Sequence, residues 1–244
     1  TGRTREAIPL VEGSLRIQTE ALGGEHPELV PTYSALGRLY MADQRWQQAE
    51  EVLMKAILLL NRTTAQVSAE LAQLVAELGH LRAAQGDLEQ ALGFTARALE
   101  MLTTALGEGH ESTEAVILRL AKLSILQKGF REGEACLKRV LDQRTKRLGG
   151  EHPDVAKVWL ELARLQEAQG RAILAETLGK KALDLMQRAV GAESPENQSF
   201  LEFLRDLAVQ AGHDDQVEDY QNRLDALALP TEAVPVEPSI QVQV

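Results

Sequence analysis

Three histidines recur at one position of a short loop, and their spacing invites comparison with a metal site. His26, His110 and His152 each follow a glycine-containing stretch, and successive copies lie 84 and then 42 residues apart. A metal ion needs its ligand nitrogens about 2 Å from its centre. The copies belong to different units of a 42-residue period, and packed helical units are separated by roughly 10 Å. We therefore expect neither a metal site nor a cofactor.

The other reactive side chains form no convergent group. Cys136 is the only cysteine and has two cations near it in sequence, which would favour a thiolate. Packing of a small thiol between helices is the simpler interpretation. The pairs Glu50-Glu51 and Asp214-Asp215 offer carboxylates for acid–base catalysis, but adjacent residues of a helix point in different directions. Because no phosphate-loop, dinucleotide-binding or His-Glu-x-x-His string accompanies them, the sequence predicts a protein that is not an enzyme.

Composition narrows the class of protein further. Of the 244 residues, 44% are hydrophobic but only 4% are aromatic, so alanine and leucine must fill the core, as in closely packed helices. A net charge of −10 disfavours nonspecific binding to nucleic-acid phosphates. No apolar run reaches the roughly 18–20 residues of a membrane span, and no signal-peptide pattern follows the first arginines. We expect a cytoplasmic protein with neither nucleic acid nor membrane as a partner.

The sequence repeats every 42 residues in three columns. The loop column holds Gly-Gly-Glu-His-Pro or a variant of it at 23–27, 107–111, 149–153 and 191–195. A turn column follows at 44–46, 86–88, 128–130, 170–172 and 212–214. Five positions after the start of each turn stands a small residue, or a valine in the last copy: Ala49, Ala91, Gly133, Ala175 and Val217. A period kept without slippage indicates a repeat architecture.

Apolar residues between these columns follow helical spacing, so each unit is predicted to contain two helices. Helix A is expected at about 28–42, 70–85, 112–127, 154–169 and 196–211. Helix B is expected at about 45–61, 87–105, 130–148, 171–190 and 214–228. The N-cap position before helix A holds His26, Ser68, His110, His152 and Ser194. Proline often follows, and it presets the backbone for a first helical turn. The loop strings are therefore predicted to start helices rather than to do chemistry.

The two ends of the chain differ from the repeats. Residues 1–20 are predicted to be helix B of an upstream unit, and the natural protein is expected to continue upstream. That helix would leave one apolar side uncovered: Ile8, Leu10, Val11, Leu15 and Ile17. Residues 21–228 hold about five repeats, the last a degenerate cap with Arg205 in a small-residue position. Residues 229–244 are proline-rich and predicted to be flexible, although the alternation in 240–244 would also suit strand addition to a partner.

Small residues in helix A connect the chain to a known family. They stand twelve positions before those of helix B: Gly37, Gly79, Ala121 and Ala163. Helix B adds a second set: Ala56, Ala98 and Ala182. The pattern resembles the tetratricopeptide repeat, and the 42-residue length with its Leu-Gly-x-x-His-Pro linker looks like the kinesin-light-chain type. The resemblance covers about residues 4–228. It implies an all-α fold, a right-handed α-solenoid of antiparallel helix pairs.

Kinesin light chains carry paired asparagines in helix A that hold the backbone of a bound peptide. The matching pairs here include Ala76-Glu77 and Leu118-Arg119 and contain no asparagine. The resemblance therefore does not carry the motor-cargo function over to this chain.

In such arrays helix A lines a concave groove, and the position after its small residue generally points into that groove. Down the repeats this position holds Arg38, His80, Lys122, Arg164 and Asp206. Nearby groove candidates are Met41, Arg82, Leu118, Ile125 and Lys157. The basic row predicts a groove for an extended peptide or helix that carries acidic residues. The alternative is a row of solvated side chains paired with Glu77, Glu161 or Glu167.

The resemblance therefore predicts a protein-interaction adaptor that holds a segment of another protein in the groove. Two alternatives stay open. One is a structural module that self-associates through its N-terminal apolar side or its tail. The other is a sensor or recognition arm of a larger NTPase or protease.

Overall fold

A computed structural model describes residues 2–63 and 68–228, and helices occupy every position predicted from the sequence. They are α1 Gly2–Leu22, α2 Val30–Ala42, α3 Trp46–Thr63, α4 Ala69–Ala84, α5 Leu88–Leu106, α6 Glu111–Leu126, α7 Phe130–Leu148, α8 Pro153–Ala168, α9 Ala172–Val190, α10 Gln198–Ala211 and α11 Asp214–Ala228. One 3₁₀ turn precedes α2 and another precedes α10. The proline-rich tail lies outside the described residues. Among those residues, none of the helices combines the length and apolarity that a bilayer crossing requires.

The loop residues predicted to be N-caps are N-caps. Nδ1 of each loop histidine accepts a backbone N–H two residues later, at 3.3 Å for His26 and 3.1 Å for His110 and His152. The serine hydroxyls do the same work, Ser68 for Leu71 and Ser194 for Glu196. The histidine column is thus explained by helix initiation.

The turn between helices A and B needs one residue in left-handed backbone. Three repeats place glycine there, with φ of 83° at Gly86, 74° at Gly170 and 71° at Gly212. Two repeats place a side chain there instead, with φ of 61° at Gln44 and 62° at Lys128. Because a Cβ disfavours this conformation, Gln44 and Lys128 are strained. Their place in the turn column of the 42-residue period is the sequence feature that identifies them.

Small residues of helix A bring the two helices of a repeat together. A Cβ on Gly37 of α2 would lie 2.8 Å from Leu53 Cδ2 of α3, and a Cβ on Gly79 of α4 would lie 2.7 Å from Thr95 Oγ1 of α5. Such distances are shorter than any real Cβ contact, so these positions exclude larger side chains. Their role as packing sites, predicted from the sequence, is confirmed.

The chain divides into two compact units, one up to residue 143 and one from residue 144 onward. In the N-terminal unit α1 packs on α2, and Ile8 is buried in the core with Val11 and Leu15 against it. The expectation of a wholly uncovered apolar side on α1 was therefore wrong. Leu10 and Ile17 are the residues of that set that are exposed. In the C-terminal unit the core gathers apolar residues of α8 to α11, among them Phe200 and Met186.

Candidate functional site

The A helices of the N-terminal unit lie side by side, since α2 contacts α4 and α4 contacts α6. Two guanidinium groups reach α4 from its two neighbours. Arg38 Nη1 of α2 donates to Glu77 Oε1 at 2.9 Å, and Arg119 Nη1 of α6 donates to the carbonyl oxygen of Ala76 at 2.8 Å. Ser34 Oγ also donates to Glu77, at 3.3 Å from Oε2. These bonds cross-link the three A helices at one level.

Glu77 and Arg119 are both partly buried, and the charge of each opposes the effect of burial on the pKa of the other. Only 15% of the Glu77 side chain is exposed, and burial raises the pKa of its carboxyl despite the opposing attraction of Arg38, the Ser34 hydrogen bond and Arg119. Burial likewise lowers the pKa of Arg119, while the charge of Glu77 opposes that change. Both residues occupy asparagine-pair positions of the kinesin-light-chain pattern. The roles of Glu77 and Arg119 in this cross-link were not predicted from the sequence, where their spacing of 42 residues was the only signal.

The predicted basic row occupies exposed positions in both units. In the N-terminal unit Arg38, His80 and Lys122 are exposed, and burial followed by the charge of Arg119 lowers the pKa of His80. In the C-terminal unit Arg164 is exposed too, and its Nη1 lies 3.2 Å from Glu161 Oε1. The positions are thus accessible, and Arg38 and Arg164 also have carboxylate partners.

Glu167 is the third carboxylate that was considered as a partner of the basic row, and it bonds to a different group. Glu167 Oε1 accepts a hydrogen bond of 3.0 Å from Gln210 Nε2 of α10, the next A helix. The contact is a polar link between neighbouring A helices. It parallels the links that Glu77 makes in the N-terminal unit.

Two of the additional groove candidates do not line an open groove. Met41 is only 7% exposed and lies in the core of the N-terminal unit. Arg82 is directed back toward α3, where its Nη2 bonds to Glu50, while its Nη1 donates to Gln85 at 2.8 Å. Each stands three or four residues after the small residue of its helix and so shares the face that packs against helix B. Leu118 and Ile125 are half-buried.

The C-terminal unit has a cleft of about 470 Å³ between its A helices α8 and α10. Two predicted site residues, Lys157 and Arg164, line the cleft together with Glu161 and Glu196. Leu160 and Phe200 are buried and form its apolar floor, with Ser199 on the wall. The cleft thus combines charges of both signs with an apolar base.

An ion pair with Asp154 holds the side chain of Lys157, which lines this cleft. Lys157 Nζ lies 3.1 Å from Asp154 Oδ1 in the first turn of α8. Burial alone would raise the pKa of the Asp154 carboxyl, but the Lys157 hydrogen bond and the charges of Lys157, Arg144 and His152 outweigh it and lower the pKa. The Asp154 carboxylate is therefore negatively charged at neutral pH.

The remaining chemical candidates give no converging site. Burial raises the pKa of the half-buried Cys136 thiol, and the nearby Arg139 does not reverse this, so the thiol form is favoured. Within 2–63 and 68–228, no three or more His, Cys, Asp or Glu side chains cluster in a way that could hold a metal ion.

Successive helix pairs with their A helices in contact define an α-solenoid of repeats. The tetratricopeptide repeat family model matches residues 1–61 and 113–188, together more than half of the chain. The chain belongs to the tetratricopeptide repeat family, as its period predicted. Arrays of this kind present extended surfaces to other molecules.

Solved structures agree with this family and with the predicted type of repeat. BtubC (BKLC) from P. vanneervenii is 16% identical with a TM-score of 0.75, over 100% of this chain and 98% of that chain. A putative kinesin light chain from Podosopora anserina, with nearly identical TPR-like repeats, is 20% identical with a TM-score of 0.71, over 86% of this chain and 99% of that one. They confirm the all-α solenoid fold.

A third structure is a Rap protein complexed with Competence and Sporulation Factor. It is 14% identical with a TM-score of 0.60, over 92% of this chain and 59% of that chain. No curated protein sequence matches the chain.

Proposed function

We propose that this chain is a protein-interaction adaptor that binds a segment of a partner protein on the face formed by its A helices. One observation carries the proposal: α2 and α6 bring Arg38 and Arg119 to the partly buried carboxylate of Glu77 on α4, and α6 also carries the exposed Lys122. The complex of the Rap protein with Competence and Sporulation Factor gives a precedent, in a similar fold, for a bound partner. This group of side chains lacks the convergence of nucleophile, base and acid that catalysis needs.

The partner segment is proposed to be acidic. Arg38 is 60% exposed, so a partner carboxylate can reach its guanidinium while Glu77 stays in place. Arg119 is fixed to the Ala76 carbonyl, and therefore adds a positive potential at a constant position. On a chain with a net charge of −10, a local basic face gives specificity and a faster encounter with an acidic segment.

The cleft of the C-terminal unit supports an amphipathic segment. Lys157 and Arg164 stand seven residues apart on α8, which is two helical turns or about 10.5 Å. The buried floor of Leu160 and Phe200 lies in the same cleft. Acidic side chains that flank an apolar one would match this arrangement, in the manner of a helix or strand laid into a groove.

Selection from a displayed library of random peptides tests the proposal. The parent chain is expected to enrich peptides with Asp and Glu around an apolar residue. The double variant Arg38→Glu, Lys122→Glu reverses two charges on the A helices and is expected to weaken binding of the selected peptides by at least about tenfold, since each charge contact contributes on the order of 1 kcal/mol.

A matched control distinguishes an effect of the A-helix face from an effect of the net charge of the chain. Arg97→Glu, Lys138→Glu makes the same change in charge on exposed positions of the B helices α5 and α7. It is expected to leave peptide affinity within about twofold at moderate salt. Equal loss in both double variants, or selected peptides without acidic enrichment, would reject the A-helix face as the binding site.

A second candidate function, self-association, is favoured by one exposed apolar pair. Ile173 and Leu174 lie in the first turn of α9, and Ile173 is 84% exposed. The four other repeats hold polar or charged residues at these two positions: Gln47-Gln48, Glu89-Gln90, Arg131-Glu132 and Asp215-Gln216. Since the fold does not require apolar residues there, the pair is a candidate contact between two copies of the chain.

Sedimentation over a concentration series checks this second candidate. Self-association through α9 predicts a mass that rises with concentration and returns to the monomer value in Ile173→Gln, Leu174→Gln. The comparison variant Leu10→Gln, Ile17→Gln changes the exposed apolar residues of α1 instead. A parent chain that stays monomeric at all concentrations removes the candidate.

A further inference from the structure

A cleft of about 410 Å³ lies between α1 and α3 in the N-terminal unit, with α2 as its floor. Tyr33, Leu36 and Tyr40 of α2 line that floor. A second cleft of about 240 Å³ continues the first, because Tyr33 and Lys55 line both. Volumes of this size accommodate a side chain and its neighbours. The basic row of the A helices does not line either cleft, so this is a separate surface.

The C-terminal unit shows what covers the equivalent ring in another repeat. Trp159 stands three periods after Tyr33, and Lys181 stands three periods after Lys55. Lys181 Nζ lies 3.5 Å from the centroid of the Trp159 ring, which is a close cation–π contact. In that repeat the protein's own lysine occupies the place above the aromatic ring.

In the N-terminal unit a carboxylate holds the lysine. Lys55 Nζ lies 2.9 Å from Glu51 Oε1, one helical turn earlier, and this hydrogen bond lowers the pKa of Glu51 and raises the pKa of Lys55. The residue equivalent to Glu51 is Thr177, whose hydroxyl donates to the Ile173 carbonyl oxygen at 2.8 Å. Thr177 offers no anion, so Lys181 turns to Trp159 instead.

The walls of the first cleft add acidic groups. Glu12 and Glu20 of α1 line it opposite Glu51 of α3. Two cations, Arg16 and Lys55, line the cleft with them. Glu12 Oε1 accepts the Tyr40 hydroxyl at 2.5 Å, and burial with this hydrogen bond raises the pKa of Tyr40 to about 12. Tyr40 therefore stays neutral. The net charge of −10 adds a long-range attraction for a cationic group.

We propose that this cleft binds a basic side chain of a partner segment, with its ammonium or guanidinium group over the Tyr33 ring. The wall carboxylates balance the charge, as carboxylates and aromatic rings do in other cation sites. The continuing cleft is lined by the exposed Leu58, by Leu59 and by the ion-paired Arg62 and Glu25. It takes an apolar residue next to the basic one. This site is independent of the A-helix face and does not rest on the proposed function.

Tyrosine ring signals in ¹³C NMR test the site directly, because the chain has three tyrosines. The probe is acetyl-Leu-Arg-Leu-amide, and its neutral comparison is the same peptide with citrulline in place of arginine. The arginine peptide is expected to shift the Tyr33 signals saturably and to leave those of Tyr220 unchanged. Tyr220 lies in the C-terminal unit and already has Arg223 above its ring at 5.8 Å. The citrulline peptide is expected to bind about tenfold more weakly.

A single substitution outside the ring tests the lysine mechanism. Glu51→Thr gives α3 the residue that α9 has, which frees Lys55 to cover Tyr33 and is expected to weaken binding of the arginine peptide at least about tenfold. The control Glu100→Thr removes an exposed carboxylate of α5 and should not change the affinity. Far-UV circular dichroism verifies that both variants are equally helical. Equal shifts of Tyr33 by the two peptides, or unchanged affinity in Glu51→Thr, would overturn the proposal.

Discussion

Arg205 Nη1 of α10 donates a hydrogen bond of 3.2 Å to Gln221 Oε1 of α11, which joins the two helices of the last repeat. In the first repeat, Gly37 of α2 packs closely against Leu53 of α3 instead. The two pairs stand at the same two positions of the period. A polar bridge therefore replaces an apolar close contact at these two positions.

The close contact of Gly37 with Leu53 predicts a change of sign between two backgrounds. Gly37→Ala is expected to destabilise the parent by about 1 kcal/mol, since overpacking of about 1–3 kcal/mol exceeds the helix propensity gained. In the Leu53→Ala background the added methyl group fills space, so the same substitution is expected to stabilise by about 1 kcal/mol. Urea denaturation of the four proteins measures both values. Destabilisation in both backgrounds would contradict the packing role of Gly37.

The strained turns predict that two substitutions to glycine stabilise the chain. Gln44→Gly and Lys128→Gly relieve left-handed backbone, with an expected gain of about 0.5–1 kcal/mol each. Gln85→Gly is the comparison, because Gln85 has a φ of −79° and gains nothing from glycine. Thermal unfolding should rank the two turn variants above the parent and the comparison below it. A reversed order would show that φ at these turns is not the source of strain.

The histidine caps predict which replacements are tolerated. His152→Ala leaves the Asp154 N–H without its acceptor and is expected to cost about 1 kcal/mol of unfolding free energy. His152→Ser, which copies the cap at Ser194, is expected to recover most of that loss. Chemical denaturation compares the two variants with Glu151→Ala, a neighbouring exposed residue that caps nothing. Equal stability of the alanine and serine variants would contradict the capping role.

Affinity of the A-helix face for acidic peptides is expected to rise as pH falls from about 7 to 5. The pKa of His80 is lowered from 6.5, so this residue gains its charge at a lower pH than an ordinary histidine. The pKa of Glu77 is raised from 4.5, so its carboxylate is neutralised earlier than an ordinary glutamate. Both changes make the face more positive. Fluorescence anisotropy with a selected acidic peptide measures the effect.

A double variant provides the control for this pH dependence. Glu77→Gln, His80→Gln removes both titrating groups and should give a flat affinity over the same range. Glu77 also makes the stability of the folded chain depend on pH. Because its pKa is raised in the folded state, it stabilises the fold at pH values below the pKa of the unfolded chain. This contribution is lost as the pH rises through the pKa of the folded state. An affinity that falls on acidification would contradict the charge assignment of the face.

Much of the fold followed from the period, and the physical reason is local. Caps, turns and helical apolar spacing depend on neighbours in sequence, so the ends of α4 or α8 could be placed from residues such as Ser68 and His152. The site was only partly predictable. Exposure of Arg38 and Lys122 followed from their place in the repeat. The bond from Arg119 to the Ala76 carbonyl joins different repeats and depends on how their helices pack.

Two wrong expectations have a simple geometric cause. Met41 stands four residues after Gly37, so it shares the face that meets α3, and helical periodicity would have shown this. Ile8 was expected to be uncovered, but α2 packs against it. The cleft at Tyr33 was missed because its walls come from α1 and α3, and its shape depends on how these helices pack on α2.

Capture of partners from the native lysate tests whether the A helices form the binding face. The parent chain is compared with Arg38→Glu, Lys122→Glu, Arg164→Glu and with a control of equal charge change on the B helices, Arg97→Glu, Lys138→Glu, Lys180→Glu, after all three are shown to be equally helical. Binding on the A-helix face predicts a partner protein that the parent and the control retain and the A-helix variant loses. A partner retained equally by all three proteins would contradict binding on the A-helix face.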